Sequence, residues 1–258
     1  MKLSVIVPAH NEEGAACHTV RALSRALEKA NIRNEIILVN DHSTDRTEWS
    51  VRGASKQIPT LRLVNNAGEP GFGNAVRSGL SEAKGDIIVI VMADGSDDPL
   101  DVVTFYMTLV ERGVDCVFGS RFVRGGKIHD YPLLKWLLNR LANKFIQVLF
   151  GIHYNDTTNA FKMYRRAVVD ELQPLLSKHF NLTVELPLKA IVRGFSYTVV
   201  PNSWTNRKTG ISKLKIREMG SRYLFIILYC FIEKWLSRGD YRRKVSSHQP
   251  EGYEIANS

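Results

Sequence analysis

Asp86-Ile87-Ile88-Val89-Ile90-Val91-Met92-Ala93-Asp94 sets five consecutive branched apolar residues between two acids. A run that does not alternate is buried on both faces, as strands are in a parallel sheet covered by helices on each side. The strand is placed at 86–92, and the sequence around it repeats the theme. Residues 61–64, 35–39 and 3–7 read as further strands toward the N-terminus, and 116–118 follows as a fifth. Between them, 13–30 carries Val20, Leu23 and Leu27 on one helical face, and 75–83 and 102–111 read as helices as well. The expected class is α/β, a mostly parallel, Rossmann-like sheet with helices on both faces.

In such sheets ligands bind beyond the carboxyl ends of the strands. The residues there are Pro8, His10, Asn11 and Glu12 after the first strand, and Asn40, Asp41, Ser43 and Asp45 after the second. Asp94, Asp97 and Asp98 follow the fourth, Ser120 and Arg121 the fifth. Carboxylates gathered at one edge suit a hard cation, Mg²⁺ or Mn²⁺, bridging to substrate phosphates, together with a hydroxyl-rich ligand. Asp and Asn also cap helices and make turns, so Asp45 and Asp98 stand open between capping and function. Asp94, beside the long buried strand, is assigned to function. Gly71-Phe72-Gly73 precedes a helix, but Val76 stands where a dinucleotide loop has its third glycine, so it reads as a glycine-rich turn. The histidines show no zinc-like grouping.

With 258 residues, 44% hydrophobic and 24% charged, the chain can bury a sizeable core. Its net charge of +9 is concentrated: eleven Lys or Arg face three acids between Arg207 and Lys244. A basic region of this kind serves nucleic acid, a phosphorylated ligand or an anionic membrane, or is a solvated face. Nucleic-acid binding needs aromatic and basic residues interleaved on a groove. The aromatic residues of 223–235 fall in an apolar stretch instead, so no nucleic-acid partner is expected.

Segment 133–150 has its polar residues at Lys135, Asn139, Arg140, Asn143, Lys144 and Gln147, which leaves a narrow basic face and a wide apolar one. Residues 223–232 are ten apolar or aromatic residues flanked by Arg222 and Lys234, short of the roughly 20 that span a bilayer. Both segments are amphipathic interfacial helices with basic residues toward headgroups, or core helices of a larger domain. The three scattered cysteines suit a reducing compartment, and the apolar run at the N-terminus is too short for a secretory signal. The expected division is a domain over 1–215, a basic, apolar helical segment over 216–245 and a flexible tail over 246–258.

Taken in order, several motifs resemble family 2 glycosyltransferases, which have the GT-A fold. Val5-Ile6-Val7-Pro8-Ala9-His10-Asn11-Glu12-Glu13 and Val39-Asn40-Asp41-His42-Ser43-Thr44-Asp45 look like the family's opening. Gly71, Ala75, Gly79, Gly85-Asp86, Gly119-Ser120-Arg121-Phe122 and Gly125-Gly126 continue the likeness. Asp156-Thr157-Thr158-Asn159-Ala160-Phe161-Lys162 and 206–213, Asn206 through Lys213, look like the later motifs of the polyprenyl-phosphate hexose synthases, the branch of the dolichol-phosphate mannose synthases.

The resemblance implies a metal-dependent, inverting transfer of a hexose from GDP-mannose or UDP-glucose to a polyprenyl phosphate. The enzyme would be peripheral at the cytoplasmic face of a membrane, and mannose is the favoured sugar. Pro8, Asn11, Glu12 and Asp41 would line the nucleotide pocket. Asp94 would hold the metal, with Asp97 or Asp98 beside it, and Arg121 would lie near the phosphates. Asp156 would face the acceptor phosphate and the sugar, and Arg207, Ser212 and Lys213 would clamp phosphate. One departure stands out: the family's Asp-x-Asp is Met92-Ala93-Asp94 here, and a thioether is a poor ligand for a hard cation. The competing reading is an enzyme of the same fold with a soluble or polysaccharide acceptor.

Overall fold

The structure, a computed structural model, describes residues 1–206 and 216–243, with backbone alone for 216–219. The five expected strands are present as β1 (Leu3–Ala9), β2 (Asn34–Asn40), β3 (Leu61–Asn65), β4 (Ile87–Ile90) and β5 (Cys116–Ser120). Further strands are β6 (Lys127–His129), β7 (Lys162–Arg165), β8 (Tyr197–Pro201) and β9 (Ser203–Thr205). The main sheet has seven strands in the order β3-β2-β1-β4-β7-β5-β8. All pairings are parallel except that β7 runs antiparallel between β4 and β5. The mostly parallel α/β expectation holds, and β6 and β9 form a separate small ribbon.

The helices are α1 (Ala16–Lys29), α2 (Thr47–Ser55), α3 (Phe72–Glu82), α4 (Pro99–Arg112), α5 (Leu133–Phe150), α6 (Arg166–Glu171), α7 (Leu182–Val192) and α8 (Ile216–Leu236). One sheet face packs Leu3, Val5 and Val7 against Val20, Leu23 and Leu27 of α1 and Val102, Phe105 and Leu109 of α4. The other packs Ile6, Ile88 and Phe118 against Val76 and Leu80 of α3 and Leu182 and Leu186 of α7. The alternation of β1 between these two cores explains why its residues are all apolar or small.

Beyond α7, a third cluster joins Val184 and Leu188 to Ile146 and Phe150 of α5 and Ile226, Ile227 and Cys230 of α8. Helix α4 is bounded in the ordinary way: Asp98 accepts from the Leu100 amide, Pro99 occupies the first turn, and Gly113 ends it at φ +66°. Among the described residues no helix is long and apolar enough to cross a membrane.

Helix α5 has its expected bounds and two faces, as read from its pattern. Asn143 is fully buried, and it and Asn139 donate to Thr158 Oγ1 at 3.1 and 2.7 Å. Gln147 donates to His153 O and Arg140 to Asn155 O. Most of the polar stripe thus faces the protein, with Lys144 exposed, while Leu133 is 79% and Val148 72% exposed, with Leu137, Leu141 and Phe145 also outward. Helix α5 joins the core only at its C-terminal end, through Ile146 and Phe150, and its Asn139, Arg140, Asn143 and Gln147 serve the loop at 153–158.

Candidate active site

The loops after β1 and β2 are stitched to each other by hydrogen bonds, most of them to neutral groups. Asn11, at φ +53°, takes the Thr44 amide on Oδ1 at 2.7 Å and donates its own amide to Ser43 Oγ at 3.0 Å. The Glu12 amide donates to Thr47 Oγ1 at 2.8 Å. Pro8 is buried at the end of β1. Asp41 is buried too, with Asn66 Nδ2 on Oδ1 at 2.8 Å and the Gly71 amide on Oδ2 at 2.9 Å. Pro8, Asn11, Glu12 and Asp41 are therefore brought together at one end of the sheet edge. His10 joins them through Nδ1, 2.6 Å from Asp41 O.

Asp45 resolves as a structural group: it takes the Thr47 amide and hydroxyl on Oδ1 and the Glu13 amide on Oδ2. Burial pushes its carboxyl up, but the bonds from Thr47 and Glu13 outweigh that and hold it below the usual range. Asp98 resolves the same way, as the cap of α4. The glycine-rich turn is also as read. Gly73 lies so close to the loop above it that a Cβ would meet Ser177 O at 2.2 Å.

In the middle of the edge, β4 delivers Asp94 and Asp97. Asp94 takes the Ser96 amide on Oδ1 at 3.0 Å, and Gly95, at φ +72°, makes the turn between them. Asp97 is buried and takes the Met92 amide on Oδ2 at 3.0 Å. Burial pushes the Asp97 carboxyl up to about 7; the Met92 amide opposes this, and the charge of Asp94 adds to it. Strand β9 closes over this loop, with Trp204 paired to Asp97 and the Thr205 amide on Ser96 O.

Among the described residues there is no cluster of three or more side chains of metal-ligand type. Two mutually repelling carboxylates fit a different donor set, that of a Mg²⁺-like cation held by one or two carboxylates plus substrate phosphates. Met92 contributes its backbone amide to this arrangement.

At the other end, Arg121 lies on Asp156. Nε and Nη2 reach Oδ2 and Oδ1 at 2.8 and 2.7 Å, and the Arg121 amide reaches Oδ2 at 3.0 Å. Asp156 has no solvent exposure. It was expected to face acceptor and sugar; instead both its oxygens are spent on Arg121, which it orients. Burial acts against the Arg121 charge, and Asp156 more than restores it.

Several residues of this flank escaped the sequence reading. Lys162, the buried first residue of β7, donates to Thr157 O and Thr183 O at 3.0 Å each and to Asn159 O, which holds the loop after Asp156. Burial pushes Lys162 down to about 7, with Asp156 opposing. Tyr131 and Trp204 meet edge to face at 4.9 Å, and Lys135 Nζ lies 5.5 and 5.6 Å from their centroids. Arg140 stacks on Phe122 at 4.3 Å, and Arg121 lies 5.6 Å from Tyr131. Basic residues flanked by aromatics within 121–140 were a usable signal for this cluster. Arg124 is exposed. Arg207, Ser212, Lys213 and the tail over 246–258 lie outside the described residues.

The model of glycosyl transferase family 2 matches residues 4–173, a span that contains both flanks and the loop between them. The chain belongs to glycosyl transferase family 2. This family 2 chain is 31% identical over 220 residues to a dolichol-phosphate mannosyltransferase of Pyrococcus furiosus, covering 83% of itself and 60% of that relative. It is 29% identical over 216 residues to a polyprenol monophosphomannose synthase of Mycolicibacterium smegmatis, covering 81% of itself and 80% of the relative. Among solved structures, a glucosyl-3-phosphoglycerate synthase from Mycobacterium tuberculosis, in complex with Mn²⁺, uridine diphosphate and phosphoglyceric acid, superimposes with a TM-score of 0.69. The match covers 89% of this chain and 78% of that one at 19% identity, a likeness of fold. The expected family and the GT-A fold are thus borne out.

Proposed function

We propose that this family 2 glycosyltransferase moves a hexose, mannose first and glucose next, from a nucleoside-diphosphate sugar to a polyprenyl phosphate. It works as a peripheral enzyme at the cytoplasmic face of a membrane. The observation that carries the reading is the exposed apolar face of α5: Asn139 and Asn143 bind the loop under Arg121, while Leu133, Leu137, Leu141, Phe145 and Val148 face outward, and α8 also exposes Leu224, Leu228 and Ile232. An apolar face of that extent on a soluble surface calls for a partner, and a lipid surface suits helices lying in its plane. The two relatives, a dolichol-phosphate mannosyltransferase and a polyprenol monophosphomannose synthase, support the same substrate class.

In this reading Pro8, Asn11, Glu12 and Asp41 line the nucleotide site, and Asp94 with Asp97 hold Mg²⁺ or Mn²⁺. When bound, that cation supplies positive charge where the diphosphate leaves. An acceptor phosphate is ionised near neutral pH, so its oxygen attacks the anomeric carbon without a base to take its proton. The bond from that carbon to the diphosphate breaks, the electron pair leaves with the nucleotide, and the configuration inverts. A mechanism without a carboxylate base accords with Asp156 being spent on Arg121. Arg121, with Lys135 and Arg140 nearby, sets one anion in line with another. Arg207, Ser212 and Lys213 close on the phosphates.

The test is transfer of radiolabel from a panel of GDP- and UDP-sugars to polyprenyl phosphate, with divalent metal and with EDTA. Label entering the lipid phase from one donor, and only with metal, is the expected result. Turnover onto a water-soluble acceptor, with none onto lipid, would select the competing reading instead.

A further inference from the structure

Strand β9 passes between the two halves of the site. At its entry Asn202 is buried, its amide donates to Ser120 O at 3.2 Å, and its Oδ1 takes Asn159 Nδ2 at 3.0 Å. Next along the chain, the Ser203 amide donates to Asp101 Oδ2 at 2.7 Å. Trp204 then pairs with Asp97, and the Thr205 amide reaches Ser96 O at 3.0 Å. The backbone of the strand is thus bound to the loop that carries Asp94 and Asp97.

The half-buried Trp204 side chain leaves that loop for the flank of Arg121. Its ring meets Tyr131 edge to face with 4.9 Å between centroids, and Lys135 Nζ lies 5.6 Å from it. Tyr131 in turn lies 5.6 Å from the Arg121 guanidinium and 5.5 Å from Lys135 Nζ. The indole therefore stands between the carboxylates proposed to hold the metal and the cations proposed to hold the acceptor phosphate.

Transfer onto a phosphate puts a geometric demand on this junction. Donor and acceptor anions are held by separate groups, and the attacking oxygen must come to rest in line with the bond that breaks. A misplacement of about 1 Å can cost about a hundredfold in rate. That distance has to be set by something stiff that touches both sides. Tryptophan is large and planar with only two rotatable side-chain bonds, and an edge-to-face pair fixes an angle as well as a separation. We infer that Trp204 is a positioning residue, a spacer that sets the distance between the donor's metal and the acceptor's phosphate without touching either substrate. The role rests on the proposed transfer from a nucleoside-diphosphate sugar to a phosphate acceptor.

The experiment measures transfer to polyprenyl phosphate from the sugar nucleotide that wild type uses, per site counted by calorimetric titration with GDP or UDP and Mn²⁺. Trp204→Leu should lower kcat at least about tenfold, with the nucleotide Kd and the acceptor KM each within about twofold of wild type. Trp204→Phe, which keeps an aromatic edge for Tyr131, should recover most of the loss. Tyr131→Leu breaks the same contact from outside β9 and should lower kcat by a similar factor. The double variant Trp204→Leu/Tyr131→Leu should then be worse than either alone by no more than about twofold, and losses that multiply instead overturn a shared contact. Nucleotide affinity that falls as far as kcat overturns the role, because Trp204 then only supports the metal loop. A raised acceptor KM with kcat kept overturns it as well, because the ring then binds the acceptor itself. Wild type that binds nucleotide with metal yet labels no lipid overturns the transfer reading and the spacer with it. Lipid labelling by Trp204→Leu at the wild-type rate overturns the spacer alone.

Discussion

Around Asn11 the loops after β1 and β2 are held by amides on the neutral groups of Ser43, Thr47 and Asn11 and by amides on two carboxylates, the half-exposed Asp45 and the exposed Glu13. Around Arg121 the ties are charges removed from water: Arg121 on Asp156, and Lys162 on three backbone carbonyls. A neutral hydrogen bond contributes about 1 kcal/mol net, and water replaces it readily at a half-exposed site. A buried charge that loses its partner costs about 3–5 kcal/mol. The first flank can therefore yield to an incoming nucleotide, while the second is organised before any ligand arrives. In a reaction that must align two anions, rigidity belongs on the flank that carries the cation.

The comparison can be broken most sharply at Asp94, which lies between the flanks. Asp94→Ala should lower transfer at least about a hundredfold, since a divalent cation at a leaving phosphate contributes several kcal/mol. The thermal midpoint should hardly move; a large drop would make the loop structural instead of chemical. Asp156→Ala should remove both activity and about 3–5 kcal/mol of stability in urea unfolding, because Arg121 is left buried and unpaired. A loss below about 1 kcal/mol would erase the difference between the flanks.

Lys162→Met takes the donor from three carbonyls and should cost about 1–3 kcal/mol. It also carries a sign that can be checked. Folded Lys162 titrates at about 7, pushed down by burial, and an unfolded lysine at about 10.4. Between those values the unfolded chain binds more protons, so wild type should gain stability over Lys162→Met as pH rises from about 7 to about 10. A pH-independent difference between the two urea midpoints would show that Lys162 does not titrate there. Smallest of all, Asn11→Ala should cost about 1 kcal/mol, and a larger loss would mean that the first flank is as rigid as the second.

Much of this was legible in the residues themselves. The runs at β1, β2 and β4 are branched and apolar without alternation, which is a local record of burial on both faces. Val20, Leu23 and Leu27 record the inward face of α1 just as locally. From these followed the sheet, its carboxyl edge and the polar residues there, because strand direction puts the residues after each parallel strand at one end.

Other features depended on partners far along the chain. β7 holds a lysine in the middle of a sheet and no periodic pattern, so only its place between β4 and β5 makes it a strand. Arg121 and Asp156 are 35 residues apart, and nothing in either segment shows that they bury each other. The pattern of α5 states that the helix has two faces. Which face meets the protein was decided by Thr158 and the carbonyls of Asn155 and His153, which give its amides and guanidinium partners that water would otherwise supply.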